Sequence, residues 1–203
     1  MDVGEAVTAL RLSSVRLAFD TNALWGDRSF RKACRDLHSL GQQQKNQITL
    51  FVSAAAHGEK LFDLKQDRQD SYDYAVILQS IMDLRLQVQA FTESDAQVIG
   101  ELLGSAFPTA EAWRAAKLRH YARSLGLMES DAKIHSGKHL SATLDWLIAA
   151  HAKAQDCILV TTDRGIEFRE VRRMKFAVLQ AAINQLLSPA AAPYSSSAEQ
   201  GAS

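Results

Sequence analysis

With 203 residues, 47% of them hydrophobic, the chain is long enough to bury a core and short enough to form a single domain. Its 23 basic residues balance its 23 acidic ones, so net charge neither requires nor excludes a nucleic-acid partner. No apolar run approaches the roughly 20 residues of a membrane span, and two cysteines without zinc-binding spacing fit a reducing cytosol. We therefore expect a cytoplasmic protein with no membrane attachment.

Short apolar runs and helically spaced apolar residues alternate along most of the chain. Brief runs that end in turn-forming residues predict strands, whereas apolar residues three or four apart predict helices. The predicted strands are 15–19, 48–52, 86–91, 157–161 and 175–179. The predicted helices cover 30–40, 54–64, 74–82, 92–103, 108–125, 144–151 and 182–187. This alternation predicts an α/β fold with right-handed crossovers around a central parallel sheet of about four to five strands.

Particular residues predict where several of these helices begin and end. Gly41 is expected to close the first helix, Ser53 to cap the second, and Thr92 or Ser94 to cap the fourth. The polar stretch 65–73 is expected to interrupt the chain between the second and third helices.

Three regions lie outside the alternating pattern. Residues 1–14 are expected to form a loosely held lead-in, which leaves 15–187 as one domain. Residues 188–203 are rich in Ala, Pro and Ser, which is typical of a disordered tail. Residues 104–140 are expected to form a basic helical elaboration of the domain. The buried face of its helix is predicted to contain Trp113, Leu118, Tyr121, Ala122 and Leu125.

Three polar residues follow the first predicted strand at once. Asp20, Thr21 and Asn22 supply a carboxylate, a hydroxyl and a carboxamide in turn. In open parallel sheets ligands bind at the carboxyl ends of the strands, so Asp20 would lie where chemistry is done. The alternative is that Asp20 and Asn22 only begin a turn or cap a helix.

Three further carboxylates are expected near the same edge of the sheet. Asp145 interrupts an apolar helix beside Trp146, where a buried carboxylate would cost several kcal/mol unless pairing or a cation neutralises it. It could instead lie in an exposed first turn, where it would complement the helix dipole. Glu59 could be an ordinary surface acid, and Asp163 could be only a turn former.

Carboxylates that converge on one edge repel each other, and a hard cation is the usual resolution. Mg²⁺ and Mn²⁺ prefer oxygen ligands and keep several waters, and such sites serve phosphoryl transfer to water. The sequence has no Cys or His cluster for zinc, no glycine-rich nucleotide loop and no G-x-S-x-G motif of a serine hydrolase. The residue pattern therefore favours a Mg²⁺ or Mn²⁺ site.

Four stretches resemble the ordered motifs of PIN-domain ribonucleases, and most of all the toxins of VapBC-type toxin–antitoxin pairs. They are Phe-Asp-Thr-Asn-Ala-Leu at 19–24, Val-Ser at 52–53 followed by Glu59, Thr-Leu-Asp-Trp-Leu-Ile-Ala-Ala-His-Ala at 143–152, and Leu-Val-Thr-Thr-Asp-Arg at 159–164. The resemblance covers roughly 15–187 and implies a three-layer α/β/α sandwich. It also implies a homodimer and a cognate antitoxin as partner.

The resemblance also assigns roles to individual residues. The acids that it implies for catalysis and for binding Mg²⁺ or Mn²⁺ are Asp20, Glu59, Asp145 and Asp163. The residues that it implies support these acids through hydrogen bonds are Asn22, Thr161 and Thr162. The chain departs from the family pattern in two ways. It is longer, chiefly through the basic region 104–140, and the acid expected soon after Asp163 is displaced to Glu167.

We therefore predict a metal-dependent endoribonuclease that hydrolyses RNA phosphodiester bonds. Phosphate contacts of this kind position RNA without reading its sequence. The candidates for these contacts are Arg114, Lys117, Arg119, Arg123, Arg164, Arg169, Arg172 and Arg173. For the four within 104–140, a solvated helix face is the commoner interpretation.

Two other functions remain open from the sequence. A haloacid-dehalogenase-type phosphatase also begins from an Asp at a strand end, but it needs a second Asp at the position of Asn22. A non-catalytic module on the same fold could bind RNA or a protein. The four acids argue against this second alternative, because a module that only binds has no need to keep them together.

Overall fold

The structure, a computed structural model, describes the backbone of residues 1–24, 28–68, 73–124 and 141–188. The side chains of these residues are described except at 68, 119–124 and 141–143. Residues 189–203 of the predicted tail at 188–203 lie outside the described residues, as does the loop 125–140 that follows the basic helix.

A five-stranded, all-parallel sheet forms the centre of the protein, as predicted. Its spatial order is β3-β2-β1-β4-β5. The strands are β1 (Ser14–Phe19), β2 (Gln47–Ser53), β3 (Gln87–Gln89), β4 (Ile158–Val160) and β5 (Arg173–Met174). The two central strands, β1 and β2, have almost wholly buried side chains, because helices cover both faces of the sheet.

Helices connect successive strands and form two layers, which completes the predicted three-layer α/β/α sandwich. The helices are α1 (Val3–Leu10), α2 (Arg28–Gln44), α3 (Ala54–Arg68), α4 (Tyr74–Asp83), α5 (Glu93–Ala106), α6 (Ala110–Ser124), α7 (Ser141–Ala154) and α8 (Phe176–Leu187). Helices α1 and α2 pack against α8, whereas α3 and α5 pack against α7. Short 3-10 turns at Thr21–Ala23 and Ile166–Phe168 follow β1 and precede β5.

Aromatic contacts distinguish the two faces of the sheet. Phe19 of β1 meets Phe30 of α2 edge to face at 5.2 Å between ring centroids, and Phe30 meets Phe176 of α8 at 6.3 Å. On the opposite face, the ring of Phe51 in β2 lies 5.9 Å from the ring of His151 in α7. The faces differ because Phe51 pairs with Ala18, whose side chain points away from that of Phe19.

The segment before β1 differs from the expected loose lead-in. Residues 3–10 form helix α1, which a capping box between Asp2 and Glu5 starts. Its apolar side chains, including the completely buried Leu10, pack on α8. The segment is thus an integral part of one helical layer.

The end of the sheet differs from the predicted strand at 175–179. Strand β5 covers only Arg173–Met174, and helix α8 begins directly afterwards at Phe176. A short apolar run does not distinguish a strand from a buried helix by its pattern alone. Here the edge strand β5 pairs only with Leu159 and Val160 of β4. The apolar run that follows forms a helix instead, and Leu179 on this helix is buried.

Two helix ends also lie beyond their predicted positions. Helix α2 continues past Gly41 to Gln44, and Lys45, with a φ of 55°, takes the left-handed position after it. Gly41 instead permits a close approach, since a Cβ there would lie 3.2 Å from the carbonyl oxygen of Asn46. Helix α3 runs through the polar residues 65–68 rather than stopping at Leu64.

Helix α6 forms within the predicted basic region, but its buried face is smaller than expected. Leu118 is 69% exposed, contrary to the prediction, while Trp113 is half-buried against Phe107. The other predicted members of that face, Tyr121, Ala122 and Leu125, lie outside the described side chains. Within the described ranges, no helix has the length and apolarity to cross a membrane.

Candidate active site

The candidate site lies where the order of the strands reverses. From β1 the chain proceeds outward to β2 and β3 on one side, and then returns to β4 and β5 on the other. A crevice forms at such a point, at the carboxyl ends of the neighbouring strands β1 and β4. Asp20 directly follows β1, and Thr161 directly follows β4. The topology therefore brings these two positions together although 141 residues separate them.

Asp20 is the most completely held carboxylate of the site. Asp20 is buried, with only 2% of its surface exposed. The Thr21 backbone N–H donates to Oδ1 at 2.7 Å, while the Thr161 hydroxyl and the Asn22 amide donate to Oδ2 at 2.6 and 2.9 Å. These donors stabilise the ionised form and fix the direction of both oxygens.

Asn22 links the loops after β1 and β4. Its Nδ2 lies 2.9 Å from Asp20 Oδ2 and 3.0 Å from Asp163 Oδ2, so one amide serves both carboxylates. Its Oδ1 accepts a hydrogen bond from the Thr162 backbone N–H at 3.3 Å. The Thr161 hydroxyl accepts from the Asp163 N–H at 3.0 Å, which completes the link. Thr162 contributes through its backbone, because its side chain is exposed.

Glu59 joins the site through Thr21, for which no supporting role was predicted. Ser53 caps α3 by accepting a hydrogen bond from the Ala56 N–H at 3.1 Å, as predicted. Glu59 lies on the same helix, and its Oε2 accepts a short hydrogen bond from the hydroxyl of Thr21. Thr21 thus connects Glu59 to the turn that holds Asp20.

The carboxylates affect one another electrostatically. Burial raises the pKa of Asp145 to about 8, and repulsion from Asp20, Glu167, Glu59 and Asp163 adds to this rise. Burial also raises the pKa of Asp20 to about 6, although hydrogen bonds from Thr161 and Thr21 oppose the rise. Such mutual repulsion marks one acidic cluster at the carboxyl edge of the sheet.

Glu167 belongs to this cluster although it was not among the predicted site residues. Burial raises its pKa, and the nearby Asp163 contributes to the rise. Its carboxylate folds back against Gly165, where an added Cβ would come within 1.6 Å of Oε1. Gly165 therefore provides the space in which this carboxylate lies. The sequence signal for Glu167 is the family pattern, which expects an acid soon after Asp163; here that acid lies four residues after Asp163.

The cluster consists of carboxylates, which are the oxygen ligands that a divalent cation prefers, but no three of its members converge tightly. Among the described residues, no group of three or more His, Cys, Asp or Glu side chains is arranged to hold a metal ion directly. The Asp145 carboxylate, half-buried, makes no hydrogen bond or ion pair with any described residue. Desolvated carboxylates with raised pKa values are the donor set that a hard cation neutralises, and Mg²⁺ keeps several of its waters in such sites.

No protein-family model and no curated protein sequence matches the chain.

The predicted basic residues divide between two edges of the sheet. Arg173 donates from Nη1 to the Asp163 carbonyl oxygen at 2.8 Å, and Arg164 follows Asp163 directly. Arg172 instead lies before β5 and is 3.6 Å from Asp156, which lies before β4. Because parallel strands begin at the same edge, this pair lies at the amino edge, away from the acidic cluster.

The remaining basic candidates are not drawn into the acidic cluster by any described contact. Arg169 and Arg114 are exposed, and the Lys117 ammonium lies 4.7 Å from the centroid of the Trp113 ring. The side chains of Arg119 and Arg123 lie outside the described residues.

Proposed function

We propose that this protein is a Mg²⁺- or Mn²⁺-dependent endoribonuclease of the PIN-domain type. The observation that carries the proposal is a cluster of five acids at the carboxyl edge of a parallel sheet: Asp20, Glu59, Asp145, Asp163 and Glu167. Burial, together with repulsion between the acids, raises the pKa values of Asp20, Glu59, Asp145 and Glu167. A divalent cation bound there supplies activation of water and stabilisation of charge in phosphodiester hydrolysis. The four stretches that resemble PIN-domain motifs supply the choice of RNA as substrate.

The chain's own residues hold the acids in place before any substrate binds. Thr21, Asn22 and Thr161 keep Asp20 in one orientation, and Asn22 extends the same network to Asp163. Prior ordering of this kind lowers the cost of gathering like charges around a cation. Arg173 holds the backbone of Asp163 and contributes positive charge for the phosphate backbone of the substrate. The same resemblance supports a cytoplasmic homodimer with an antitoxin as partner.

The arrangement around Asn22 favours this proposal over a haloacid-dehalogenase-type phosphatase. That chemistry needs an acid at position 22 to give and take a proton. The amide of Asn22 instead donates hydrogen bonds to Asp20 and Asp163, and an amide does not titrate at physiological pH. A module that only binds RNA or protein would gain nothing from the repulsion that Asp145 experiences.

Cation binding is the direct test. At about 100 times its dissociation constant, a bound cation should stabilise the protein by about 2.7 kcal/mol, or about 5–10 °C in melting temperature for a chain of this size. Asp20→Asn and Asp145→Asn should each abolish most of this shift and RNA cleavage. Asp145→Asn is the cleaner variant, since the carboxylate has no hydrogen bond to lose within the described residues.

Asp83→Asn is the matched control for both measurements. Asp83 ends α4 just before β3, so it lies at the amino edge of the sheet, and its substitution should leave cation binding and cleavage unchanged. A full thermal shift in both Asp20→Asn and Asp145→Asn would contradict the metal site. Cleavage at the wild-type rate in those variants would assign the activity to other residues.

A further inference from the structure

A cavity of about 330 Å³ opens beside the acidic cluster. It lies between the loop after β4, strand β5 and the first turn of α8. The side chains that give it its charge are Arg164, Arg173 and Lys175, and Thr162 adds a hydroxyl. Asp163 also lines it, and the Asp163 side chain is engaged by the Asn22 amide. The cavity and the acidic cluster therefore share one loop.

The cations of this cavity are available to an anion. Among the described residues, Arg164 and Lys175 have no ion-pair partner, and both side chains are exposed. Arg173 uses Nη1 for the Asp163 carbonyl oxygen, which leaves the other N–H groups of its guanidinium for a ligand. A guanidinium group binds phosphate in a bidentate manner, through two parallel N–H···O hydrogen bonds, whereas an ammonium group contributes a compact positive charge.

The start of α8 adds to the positive potential of the cavity. Lys175 is the N-cap residue, and its side chain makes no capping hydrogen bond. The helix dipole therefore acts at this end without a capping carboxylate or hydroxyl to offset it. This contribution supplements that of the three cationic side chains, which carry the argument.

We propose that this cavity binds a phosphoryl group of the nucleic-acid substrate adjacent to the phosphodiester that is cleaved. The inference rests on the proposed function for the identity of the substrate. Its geometry is independent of that function: acids that attract a cation and cations that attract a phosphate lie on either side of Asp163. The phosphoryl group is an internal phosphodiester or a terminal monophosphate of the strand, and the experiment distinguishes these two sources.

The experiment measures binding without cleavage, on the full chain in the presence of a chelator. Fluorescence anisotropy is recorded for single-stranded oligoribonucleotides with a 5′-phosphate, a 3′-phosphate or hydroxyl groups at both ends. The test variant is Arg164→Gln with Lys175→Gln. The matched control, Arg11→Gln with Lys45→Gln, removes an exposed Arg and an exposed Lys that precede β1 and β2 at the amino edge of the sheet.

The test variant should lose about tenfold in affinity per cation removed, and its log K against log salt slope should become shallower by about 1.4. The control should bind like the wild type. If the wild type binds one of the two phosphorylated oligonucleotides more tightly than the one with hydroxyl ends, and the test variant does not, the phosphoryl group is a terminal monophosphate. Equal loss for all three oligonucleotides identifies an internal phosphodiester.

Two further results separate this inference from the proposed function. A selective loss of binding in a protein that cleaves no RNA supports the cavity and contradicts the nuclease. Wild-type affinity in the test variant, with cleavage intact, overturns the cavity and leaves the nuclease standing. Arg164→Lys with Lys175→Arg keeps the charge and should restore binding, so a failure of this variant to rescue the loss also overturns the inference.

Discussion

At the scale of single residues, the loops after β1 and β4 carry side chains whose hydrogen bonds are directed at one carboxylate. Asp20 accepts from Thr21, Asn22 and Thr161, and none of these donors carries a formal charge. Glu59, Asp145 and Glu167 have no comparable set of described donors, and burial raises the pKa values of these three acids. Hydrogen bonds therefore fix the orientation of the Asp20 carboxylate, whereas the surroundings of the other three acids disfavour their ionised forms.

This difference predicts how stability depends on pH. An unfolded Asp titrates near about 3.9, whereas Asp145 in the folded protein has a pKa of about 8. Between these values the folded state binds more protons than the unfolded state, so the free energy of unfolding falls as pH rises. In chelator, the free energy of unfolding of Asp145→Asn should equal that of the wild type near pH 4 and exceed it by about 1–3 kcal/mol above pH 8. This is a fraction of the full pKa shift, because the carboxyl group is partly solvated.

Chemical denaturation across this pH range measures the effect. Asp83→Asn, at the amino edge of the sheet, should follow the wild-type curve at every pH. Equal stability of Asp145→Asn and wild type at pH 8 would show that Asp145 is not destabilised by its surroundings. Adding Mg²⁺ should reduce the difference in the free energy of unfolding between Asp145→Asn and the wild type, since only the wild type is stabilised by the cation.

At the scale of secondary-structure elements, packing against α5 positions α7, and packing against α1 positions α8. His151 of α7 contacts Asp95 of α5 at 3.2 Å between Nδ1 and Oδ2, and both side chains are buried. Asp95 also accepts from the N–H and hydroxyl of Thr92, which caps α5 as predicted. Asp145 lies on the same α7, so this buried pair fixes the helix that presents it. Helix α1 packs on α8 in the other layer.

The packing of α1 is tested by two leucines close together in the chain. Leu10 is completely buried, whereas Leu12 is 50% exposed. Leu10→Ala should therefore lower the free energy of unfolding by about 2–5 kcal/mol, because it removes buried methyl groups and leaves a cavity. Leu12→Ala should change it by less than about 0.5 kcal/mol. Equal, small effects in urea denaturation would mean that residues 1–14 are the loose lead-in that the sequence suggests.

At the scale of the whole molecule, a chain with no net charge separates its charges in space. Carboxylates gather at the carboxyl edge of the sheet, and Arg164, Arg173 and Lys175 line the cavity beside them. Helix α6 presents a second group of cations, of which Arg114 and Lys117 are described and exposed. A nucleic acid would be attracted by these local clusters of positive charge, whatever the net charge of the chain.

Helix α6 is predicted to contact the RNA backbone. Arg114→Ala with Lys117→Ala should make the log K against log salt slope for a single strand shallower by about 1.4, because two phosphate contacts are lost. The measurement is RNA affinity across a salt series in chelator, with Arg11→Gln and Lys45→Gln as the charge-matched control. An unchanged slope would favour the interpretation of these cations as a solvated helix face.

Much of the fold could be predicted from the sequence, because the deciding signals are local. The cores of β1 and β2 are apolar runs, and the caps at Ser53 and Thr92 are single residues with a defined chemistry. Alternation of strands and helices then restricts the sheet to parallel pairing with right-handed crossovers. That restriction is why residues after β1 and β4, such as Asp20 and Asp163, could be expected at one edge.

The sequence by itself therefore determined the fold class and the edge of the sheet at which Asp20 and Asp163 lie. Tertiary structure alone decided two placements that no local signal carries: Glu167 folds over Gly165 into the cluster, and Arg172 pairs with Asp156 at the opposite edge. It also decided that 3–10 form a buried helix and that α8 begins at Phe176. Periodicity reports which face of an element is apolar, but burial and charge depend on which neighbours approach that face, and distant parts of the chain supply those neighbours.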